Sequence, residues 1–221
     1  MKLALFDLDH TLLPIDSDYS WGVYTTDIGW TDNDHFRQRN DEFYAHYQAG
    51  TLDIHDYVRF STQAARLKGA AEAARAHAHF MQTVVLPVIQ PQALALIDAH
   101  AQAGDQILIV TATNEFVTRP IATALGVNEL IAVELARDAS GWITGEIHGT
   151  PSFREGKVAR VNQWLAERQL TWASVETTFY SDSINDLALL EKATHPVATN
   201  PDPRLRALAT ERGWRILDLF S

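Results

Sequence analysis

Short, continuous apolar runs alternate with helical patterns along most of this chain of 221 residues. The clearest run is Ile-Leu-Ile-Val within residues 106–111, which has the length and composition of a strand buried on both faces of a sheet. Because single helices separate most of these strands, the pattern predicts an α/β fold with a doubly wound, Rossmann-like parallel sheet. The other predicted strands span residues 3–8, 130–135, 142–148, 177–181, 196–199 and 215–217, and the helices span residues 91–103, 114–125, 156–168, 183–192 and 203–212.

The connection between the first two predicted strands is too long for this pattern. It contains nearly a hundred residues, whereas a crossover between parallel strands needs only a dozen or more. Residues 70–80 are rich in alanine, and four aromatic residues upstream share one helical face: Phe36, Phe43, Tyr44 and Tyr47. We therefore predict a helical subdomain at residues 16–86, inserted after the first strand, and a core domain built from residues 1–15 and 87–221.

Composition excludes several classes of function. The net charge is −10 and no run of lysine or arginine occurs, so binding to nucleic acid through a basic surface is disfavoured. The absence of cysteine rules out disulfides, cysteine-based zinc sites and thiol nucleophiles. Asp7 and Asp9 interrupt the N-terminal apolar run, which is too short for a signal peptide, and no stretch has the ~20 apolar residues of a membrane helix. We expect a cytoplasmic protein with no nucleic-acid or membrane partner; its oligomeric state is not predicted.

Two carboxylates, Asp7 and Asp9, stand one residue apart at the end of the first predicted strand. Such a pair repels itself unless a cation lies between the two groups, although turn-forming aspartates are an alternative. A calcium loop of the EF-hand type is excluded, because the positions that require Gly and Glu hold Leu12 and Asp18. A glycosyltransferase-type Asp-x-Asp motif remains possible from these residues alone.

A second acidic pair, Asp182 and Asp186, follows a later predicted strand. The two residues are four apart and therefore share a face where a helix begins, and helix capping alone would explain one of them. In an open parallel sheet the carboxyl ends of the strands form the ligand site, so this pair should lie near Asp7 and Asp9. Several carboxylates in one pocket require a hard divalent cation, and oxygen-only ligands favour Mg²⁺ over zinc.

Lys157 opens a predicted amphipathic helix directly after Gly156. A phosphate-binding P-loop is rejected, because Pro151 and Val158 occupy the positions that need glycine and serine or threonine. A solvated surface lysine is the common alternative, but the position between the acidic motifs favours the active site.

Thr111 ends the most apolar strand, three residues before Asn114. Its hydroxyl either closes a turn or donates to a phosphate oxygen beside a helix N-terminus.

These motifs in this order resemble the haloacid dehalogenase superfamily over essentially the whole chain: Asp7-x-Asp9-x-Thr11, then Thr111, then Gly156-Lys157, then the segment from Tyr180 to Asp186. Within the superfamily, the chain is similar to the phosphoserine phosphatase-like branch. The helical insertion resembles a type 1 cap. The resemblance implies a phosphatase that hydrolyses a small phosphate monoester.

The resemblance also implies a role for each motif residue. Asp7 would be the nucleophile that becomes phosphorylated, and Asp9 the general acid and base. Mg²⁺ would be held by the carboxylates of Asp7 and Asp182 and the main-chain carbonyl of Asp9, with Asp186 supporting them or binding through water. The remaining predicted substrate contacts are Thr111 and Lys157 to the phosphoryl oxygens, and Asn114 and Asn185 to the substrate.

Substrate choice should depend on the cap. Asp16 lies nine residues after Asp7, where phosphoserine phosphatases carry the acidic residue that meets the substrate amine. This suggests phosphoserine or histidinol phosphate, although Asp16 also suits a helix N-cap. The aromatic residues Trp21, Tyr24 and Trp30 are predicted to be cap core rather than a stacking platform. Four arginines of the cap suit a substrate carboxylate, and the sequence does not distinguish between them: Arg37, Arg39, Arg59 and Arg66. Two histidines, His77 and His79, are predicted to lie on the surface.

Two other classes of function remain as alternatives. A phosphotransferase or phosphomutase would use the same scaffold and return the phosphoryl group to an acceptor. A non-catalytic metal-binding domain would normally have lost one of the motif residues, all of which are present.

Overall fold

The computed structural model describes residues 1–220, apart from the side chain of Asn33. Six parallel strands form one sheet, in the order β3-β2-β1-β6-β7-β8, so the chain is wound outwards from β1 in both directions. The predicted α/β class and doubly wound sheet are therefore confirmed. The strands are β1 (Lys2–Phe6), β2 (Gln106–Asn114), β3 (Glu129–Val133), β4 (Leu135–Arg137), β5 (Ile143–Ile147), β6 (Glu176–Ser181), β7 (His195–Thr199) and β8 (Arg215–Leu217).

Both faces of the sheet are buried, because alternate residues of each strand point to opposite sides. Ala4 and Phe6 face the core that contains the helical insertion, whereas Leu3 and Leu5 face the opposite core. No residue of β1 after Lys2 is exposed. The central strand therefore fits the continuous apolar pattern from which it was predicted.

The helical insertion lies between β1 and β2, as predicted. Trp21 is almost fully buried there and packs edge-on against Phe80 and Phe116, while Trp30 packs on the same cluster. These aromatic residues are core, as predicted. The division at residues 16 and 86 stays a prediction. The helices before β2 are α1 (Ser17–Asp27), α2 (Asn33–Ala49), α3 (Ile54–Ser61), α4 (Gln63–Lys68), α5 (Ala70–Phe80), a π-helical turn (Met81–Val85), a 3-10 turn (Leu86–Val88) and α6 (Pro91–Gln102).

The remaining helices connect the later strands. Within the described residues, no single helix combines the length and apolar composition needed to span a membrane; one pair bent by 88° passes only when taken together. These later helices are α7 (Glu115–Ala124), α8 (Glu155–Glu167), α9 (Leu187–Lys192) and α10 (Pro203–Arg212), with short 3-10 turns at Trp172–Ser174 and Ile184–Asp186.

The strand predicted at residues 130–135 is in fact two strands, and the one predicted at 142–148 is not part of the parallel sheet. β4 and β5 form a separate antiparallel pair. Their connection is a tight turn in which Asp138 accepts hydrogen bonds from the main-chain N–H groups of Ser140 and Trp142, and Gly141 has a φ of 83°. So short a connection can join only antiparallel neighbours.

The prediction that His77 lies on the surface was wrong. His77 is 5% exposed and packs against Trp21 and Phe116. It lies on the inner face of α5 with Ala73 and Phe80, at helical spacing. Its Nε2 lies 3.1 Å from the main-chain oxygen of Val117, so the neutral ring must carry its proton on Nε2 to donate this bond.

Burial of His77 predicts a loss of stability in mild acid. Burial lowers its pKa from 6.5 to about 4, although the bond to Val117 opposes this. Between these two values the unfolded chain binds a proton that the folded chain excludes, so stability falls as the pH falls from 6.5 towards 4. We expect this residue to cost about 2 kcal/mol between pH 7 and pH 5.

Urea unfolding at both pH values tests this prediction. The difference in unfolding free energy between the natural chain and His77→Gln, which retains an N–H donor, should shrink by that amount on acidification. The same substitution at the exposed His79 is the control. A pH-independent difference for His77→Gln would contradict the prediction.

Candidate active site

The acidic motifs meet at the carboxyl end of the sheet because β1 lies between β2 and β6. Asp7 follows β1, and its main-chain N–H donates to the Tyr180 carbonyl oxygen of β6 at 2.9 Å. The Thr11 hydroxyl lies 3.4 Å from Asp7 Oδ2 and 3.3 Å from Asp182 Oδ1. This threonine, for which the sequence predicted no individual role, therefore joins the two acidic segments.

Lys157 lies beneath these carboxylates and is 1% exposed. Its Nζ donates to Asp7 Oδ1 and to Asp186 Oδ2, both at 2.7 Å. Burial lowers the pKa of Lys157, but the charges of Asp186 and Asp7 and their hydrogen bonds outweigh burial and raise the pKa overall. The ammonium group is therefore charged, and Lys157 is not a solvated surface lysine.

Gly156 allows the helix that carries Lys157 to begin at this place. A Cβ atom at position 156 would lie 2.0 Å from the Pro151 carbonyl oxygen, which is closer than any real contact. Arg154, two residues before Gly156, has a φ of 52° at the start of α8. Glycine is thus needed for a close main-chain approach, which brings Lys157 under the carboxyl end of β1.

The remaining acidic residues carry raised pKa values. Burial raises the pKa of Asp186 to about 6, although Lys157 opposes this; the Ser181 hydroxyl also donates to Asp186, at 2.7 Å. The pKa of Asp182 lies well above its ordinary value because of burial and the charges of Asp7 and Asp186. Negative charge is therefore in excess at this end of the sheet.

This excess suits a divalent cation. Asp7, Asp182 and Asp186 contribute three carboxylates against the single ammonium of Lys157, and every donor is an oxygen, as Mg²⁺ prefers. Among the described residues no three acidic or histidine side chains already surround a common point as metal ligands. Lys157 bonds to one oxygen of Asp7 and to one oxygen of Asp186, so each of these carboxylates keeps a second oxygen that Lys157 does not bind. The residues present fit Mg²⁺ by charge and donor type.

Asp9 is held above this cluster by two hydrogen bonds. The main-chain N–H of Ser17 donates to Oδ1 at 2.8 Å, and the Thr113 hydroxyl donates to Oδ2 at 2.7 Å. Burial, followed by the charge of Asp16, raises the pKa of Asp9 to about 6. A carboxyl group of this kind can exchange a proton near neutral pH, which suits the predicted acid and base.

Thr111 and Asn114, the two predicted substrate contacts on β2, have different surroundings in the structure. The Thr111 hydroxyl accepts a bond from the Thr113 N–H at 3.2 Å, and Thr111 also lines the cavity, so it both closes the turn and faces the site. Asn114 does not line the cavity. Its Oδ1 accepts from Val117 N–H at the start of α7, and its Nδ2 donates to Asp18 Oδ1 at 3.3 Å. Its amide is occupied by protein groups.

Asn185 likewise lies outside the cavity lining, because its amide is directed at the cap. Nδ2 donates to the Tyr47 carbonyl oxygen at 2.9 Å, in the last turn of α2. The final carbonyls of a helix have no partner within it, and here core side chains supply three donors. We call these contacts the latch: Asn185 to Tyr47, Arg154 to Gly50 and Arg204 to Gln48. Asn185 thus joins the core to the cap, and the substrate contact predicted for it stays a prediction.

The cavity between core and cap is acidic and aromatic. No lysine or arginine lines it within the described part of the chain. Its aspartates are Asp7, Asp9, Asp16, Asp18 and Asp182, its rings are Phe43, Tyr44, Tyr47, Tyr57, Phe153 and His10, and its other lining residues are Leu52, Ile54, Thr111, Ala112 and Thr113.

The cap arginines considered for a substrate carboxylate are all bound elsewhere. Arg59 pairs with Glu146 on β5 at 2.9 Å, and Arg66 donates to the Thr144 carbonyl oxygen at 3.0 Å. Arg37 pairs with Asp27, and Arg39 pairs with Glu42. None of the four lines the cavity.

Asp16 is the N-cap of α1, and its contact with a substrate amine stays a prediction. It caps α1, accepting from the Tyr19 N–H at 2.8 Å, and it also lines the cavity. Asp18, which in the sequence served only to exclude an EF-hand, lines the cavity too and is 3% exposed. Burial and the charges of Asp16 and Asp9 raise its pKa well above the ordinary value.

Comparison with known proteins identifies the family of this chain. A model of the haloacid dehalogenase-like hydrolases matches residues 4–191. The chain therefore belongs to the haloacid dehalogenase-like hydrolases, and the resemblance found in its motifs is confirmed. The predicted enzyme class, a phosphoric monoester hydrolase, is also confirmed.

Individual relatives extend this likeness. A histidinol-phosphatase of Neisseria meningitidis serogroup C is 42% identical over 218 residues, which is 98% of each chain. A crystal structure of a protein of unknown function from Bordetella pertussis Tohama I is 48% identical, covers 99% of each chain and has a TM-score of 0.93. A substrate-bound phosphoserine phosphatase has a TM-score of 0.68 at 17% identity, over 98% of this chain and 92% of its own, so it shares the fold alone.

Proposed function

We propose that this protein is a Mg²⁺-dependent phosphatase that hydrolyses a small, cationic phosphate monoester, with histidinol phosphate as the preferred substrate. The observation that carries this proposal is the polarity of the cavity. At the base of the cavity Asp7 accepts a hydrogen bond from the ammonium of Lys157, whereas on the cap side Asp16 and Asp18 lie among aromatic rings. Phosphate would thus meet the base of the cavity, and the positive end of the substrate would meet the cap.

Two displacements at phosphorus account for the reaction. Asp7 attacks the phosphorus of the ester, and the bond to the alkoxide breaks as Asp9 gives that oxygen its proton. An aspartyl-phosphate on Asp7 results. Asp9 then takes a proton from water, whose oxygen attacks the same phosphorus, so that inorganic phosphate leaves and Asp7 is regenerated.

The surrounding groups supply alignment and charge. Lys157 holds Asp7 through a 2.7 Å bond and neutralises part of the charge that a phosphate dianion would meet. Thr111 faces the cavity as a donor. Mg²⁺, bound by Asp7, Asp182 and the Asp9 main-chain carbonyl, would neutralise the phosphoryl oxygens.

The cavity favours histidinol phosphate over phosphoserine. Phosphoserine carries a carboxylate, which would enter an aspartate-lined space where no lysine or arginine of the described chain meets it. Histidinol phosphate has an amine and an imidazole but no carboxylate. The 42% identical histidinol-phosphatase supports the same choice.

Metal removal should abolish the activity. Without a divalent cation, the substrate dianion meets three carboxylates and one ammonium, so phosphate release should fall by at least about a thousandfold in excess EDTA and return with Mg²⁺. The measurement is phosphate release from histidinol phosphate, phosphoserine, sugar phosphates and p-nitrophenyl phosphate. Full turnover in EDTA would contradict the metal requirement.

The same panel separates the alternatives. Preference for phosphoserine would overturn the substrate proposal but not the phosphatase class. Transfer of phosphate to an added alcohol or sugar, without free phosphate, would indicate a phosphotransferase or phosphomutase. Metal binding with no turnover of any ester would indicate a non-catalytic domain.

A further inference from the structure

Asp18 is a buried carboxyl group that no cationic side chain of the described chain contacts. It is 3% exposed, and no lysine, arginine or histidine in the described residues forms an ion pair with it. Its neighbours are neutral donors: Asn114 Nδ2, at 3.3 and 3.4 Å from the two carboxylate oxygens, and the Tyr57 hydroxyl. A buried carboxylate without a counter-charge is costly, and the free energy is recovered when a cation binds.

The N-cap of α1 does not require the Asp18 carboxylate. Asp16, not Asp18, supplies the side-chain cap of α1. Asp9 accepts from the Ser17 N–H, and Asp16 accepts from the Tyr19 and Asp18 N–H groups, so the Asp18 carboxylate itself takes part in none of these bonds. It faces the cavity instead.

The position of Asp18 suits the far end of a bound substrate. The Asp16 carboxylate accepts from the Tyr19 N–H at the start of α1, whereas the Asp18 carboxylate accepts from Asn114 and from the Tyr57 hydroxyl. Tyr57, on α3, brings an aromatic ring next to Asp18 on the side of the cap.

The aromatic rings give this end of the cavity a shape preference. Phe43 and Tyr57 lie 5.4 Å apart between ring centres, and both line the cavity with Tyr44. Aromatic faces attract planar rings and cations. A planar ligand ring with an N–H group can pack against these aromatic side chains and donate to the buried Asp18 carboxylate at the same time.

We propose that Asp18, supported by Tyr57 and Asn114, is the specificity-determining residue that binds the protonated or N–H-bearing nitrogen of a heteroaromatic ring at the far end of the substrate. Asp16 then meets the aliphatic amine nearer the phosphate. This assignment rests on the proposed function, because it assumes a cationic phosphate monoester in the same cavity. It adds a second recognition point that distinguishes substrates with a ring from simple amino-alkyl phosphates.

The test compares two substrates that differ only beyond the amine. Histidinol phosphate carries the imidazole, whereas phosphoethanolamine carries the amine alone. Asp18→Asn should lower the ratio of their kcat/KM values by about ten- to a hundredfold, mainly through a higher KM for histidinol phosphate. Tyr57→Phe should lower the same ratio by a smaller factor. Asp34→Asn, at an exposed cap residue, is the matched control and should leave the ratio unchanged.

The losses on the two substrates distinguish ring recognition by Asp18 from a structural role. Equal losses on both substrates would overturn the proposal, because a structural role moves both alike, and so would an unchanged ratio. If Asp18→Asn does not fold, the test uses Tyr57→Phe together with calorimetry, which measures the binding of imidazole and of histidinol to the natural chain. The absence of measurable binding of either ligand would overturn the proposal. Absence of turnover by the natural chain on every ester would instead show failure of the proposed function.

Discussion

Asp7→Asn should reduce phosphate release by at least about 10⁴-fold while leaving the fold intact. The carboxamide retains an oxygen that can accept the bond from Lys157, so the packing beneath the site is preserved. It lacks the anionic nucleophile on which the phosphoryl group would be carried. No other residue that lines the cavity is joined to Lys157 in this way within the described chain.

Steady-state phosphate release and thermal unfolding together test this expectation. The control is Asp98→Asn, the same substitution at an exposed residue of α6, which should retain normal activity. A folded Asp7→Asn variant with substantial turnover would show that another group attacks phosphorus. Transfer of a labelled phosphoryl group from the substrate to the natural chain during turnover, and the absence of this transfer in the variant, would show that the phosphoryl group is carried on Asp7.

Lys157→Met should damage both stability and activity. Methionine has a similar length but removes the ammonium, which leaves Asp7 and Asp186 buried without their shared partner. Removing one partner of a buried ionic group costs about 3–5 kcal/mol. Activity should fall by at least about a thousandfold, because Asp7 loses its alignment and the phosphate loses a positive charge.

Urea unfolding in EDTA measures the stability change without a contribution from metal. Lys2→Met is the control, because Lys2 is exposed at the start of β1 and reaches Glu176 only at 4.0 Å. A change of less than about 1 kcal/mol for Lys157→Met would mean that the carboxylates tolerate the loss by taking up protons.

Features that depend on local pattern could be predicted from the sequence. The apolar runs of β1 and β2 identify strands buried on both sides, and the parallel sheet then brings Asp7, Asp182 and Lys157 together. The antiparallel pairing of β4 with β5 could not be predicted, because a strand pattern does not say which sheet a strand joins.

Features that depend on side-chain direction could not be predicted. Asp18 has no signal of its own, since its burial results from the approach of α3 and the end of β2 towards α1. Asn185 lies inside a recognised motif, yet its partner is set by where α2 ends. His77 was misplaced because the inner face of an alanine-rich helix is difficult to identify when small residues cover most of its surface.

The latch has a consequence for how substrate range can change within such a fold. Its donors are core side chains, whereas its acceptors are main-chain carbonyls of α2 and the residue that follows it. A side-chain replacement at position 47 or 48 leaves the main-chain acceptor in place, whereas position 50 favours glycine, because its φ is 73° and a Cβ atom there would lie 3.0 Å from Arg154. The cap can therefore diverge in sequence and acquire new preferences along its inner face while these hydrogen bonds to the core are retained.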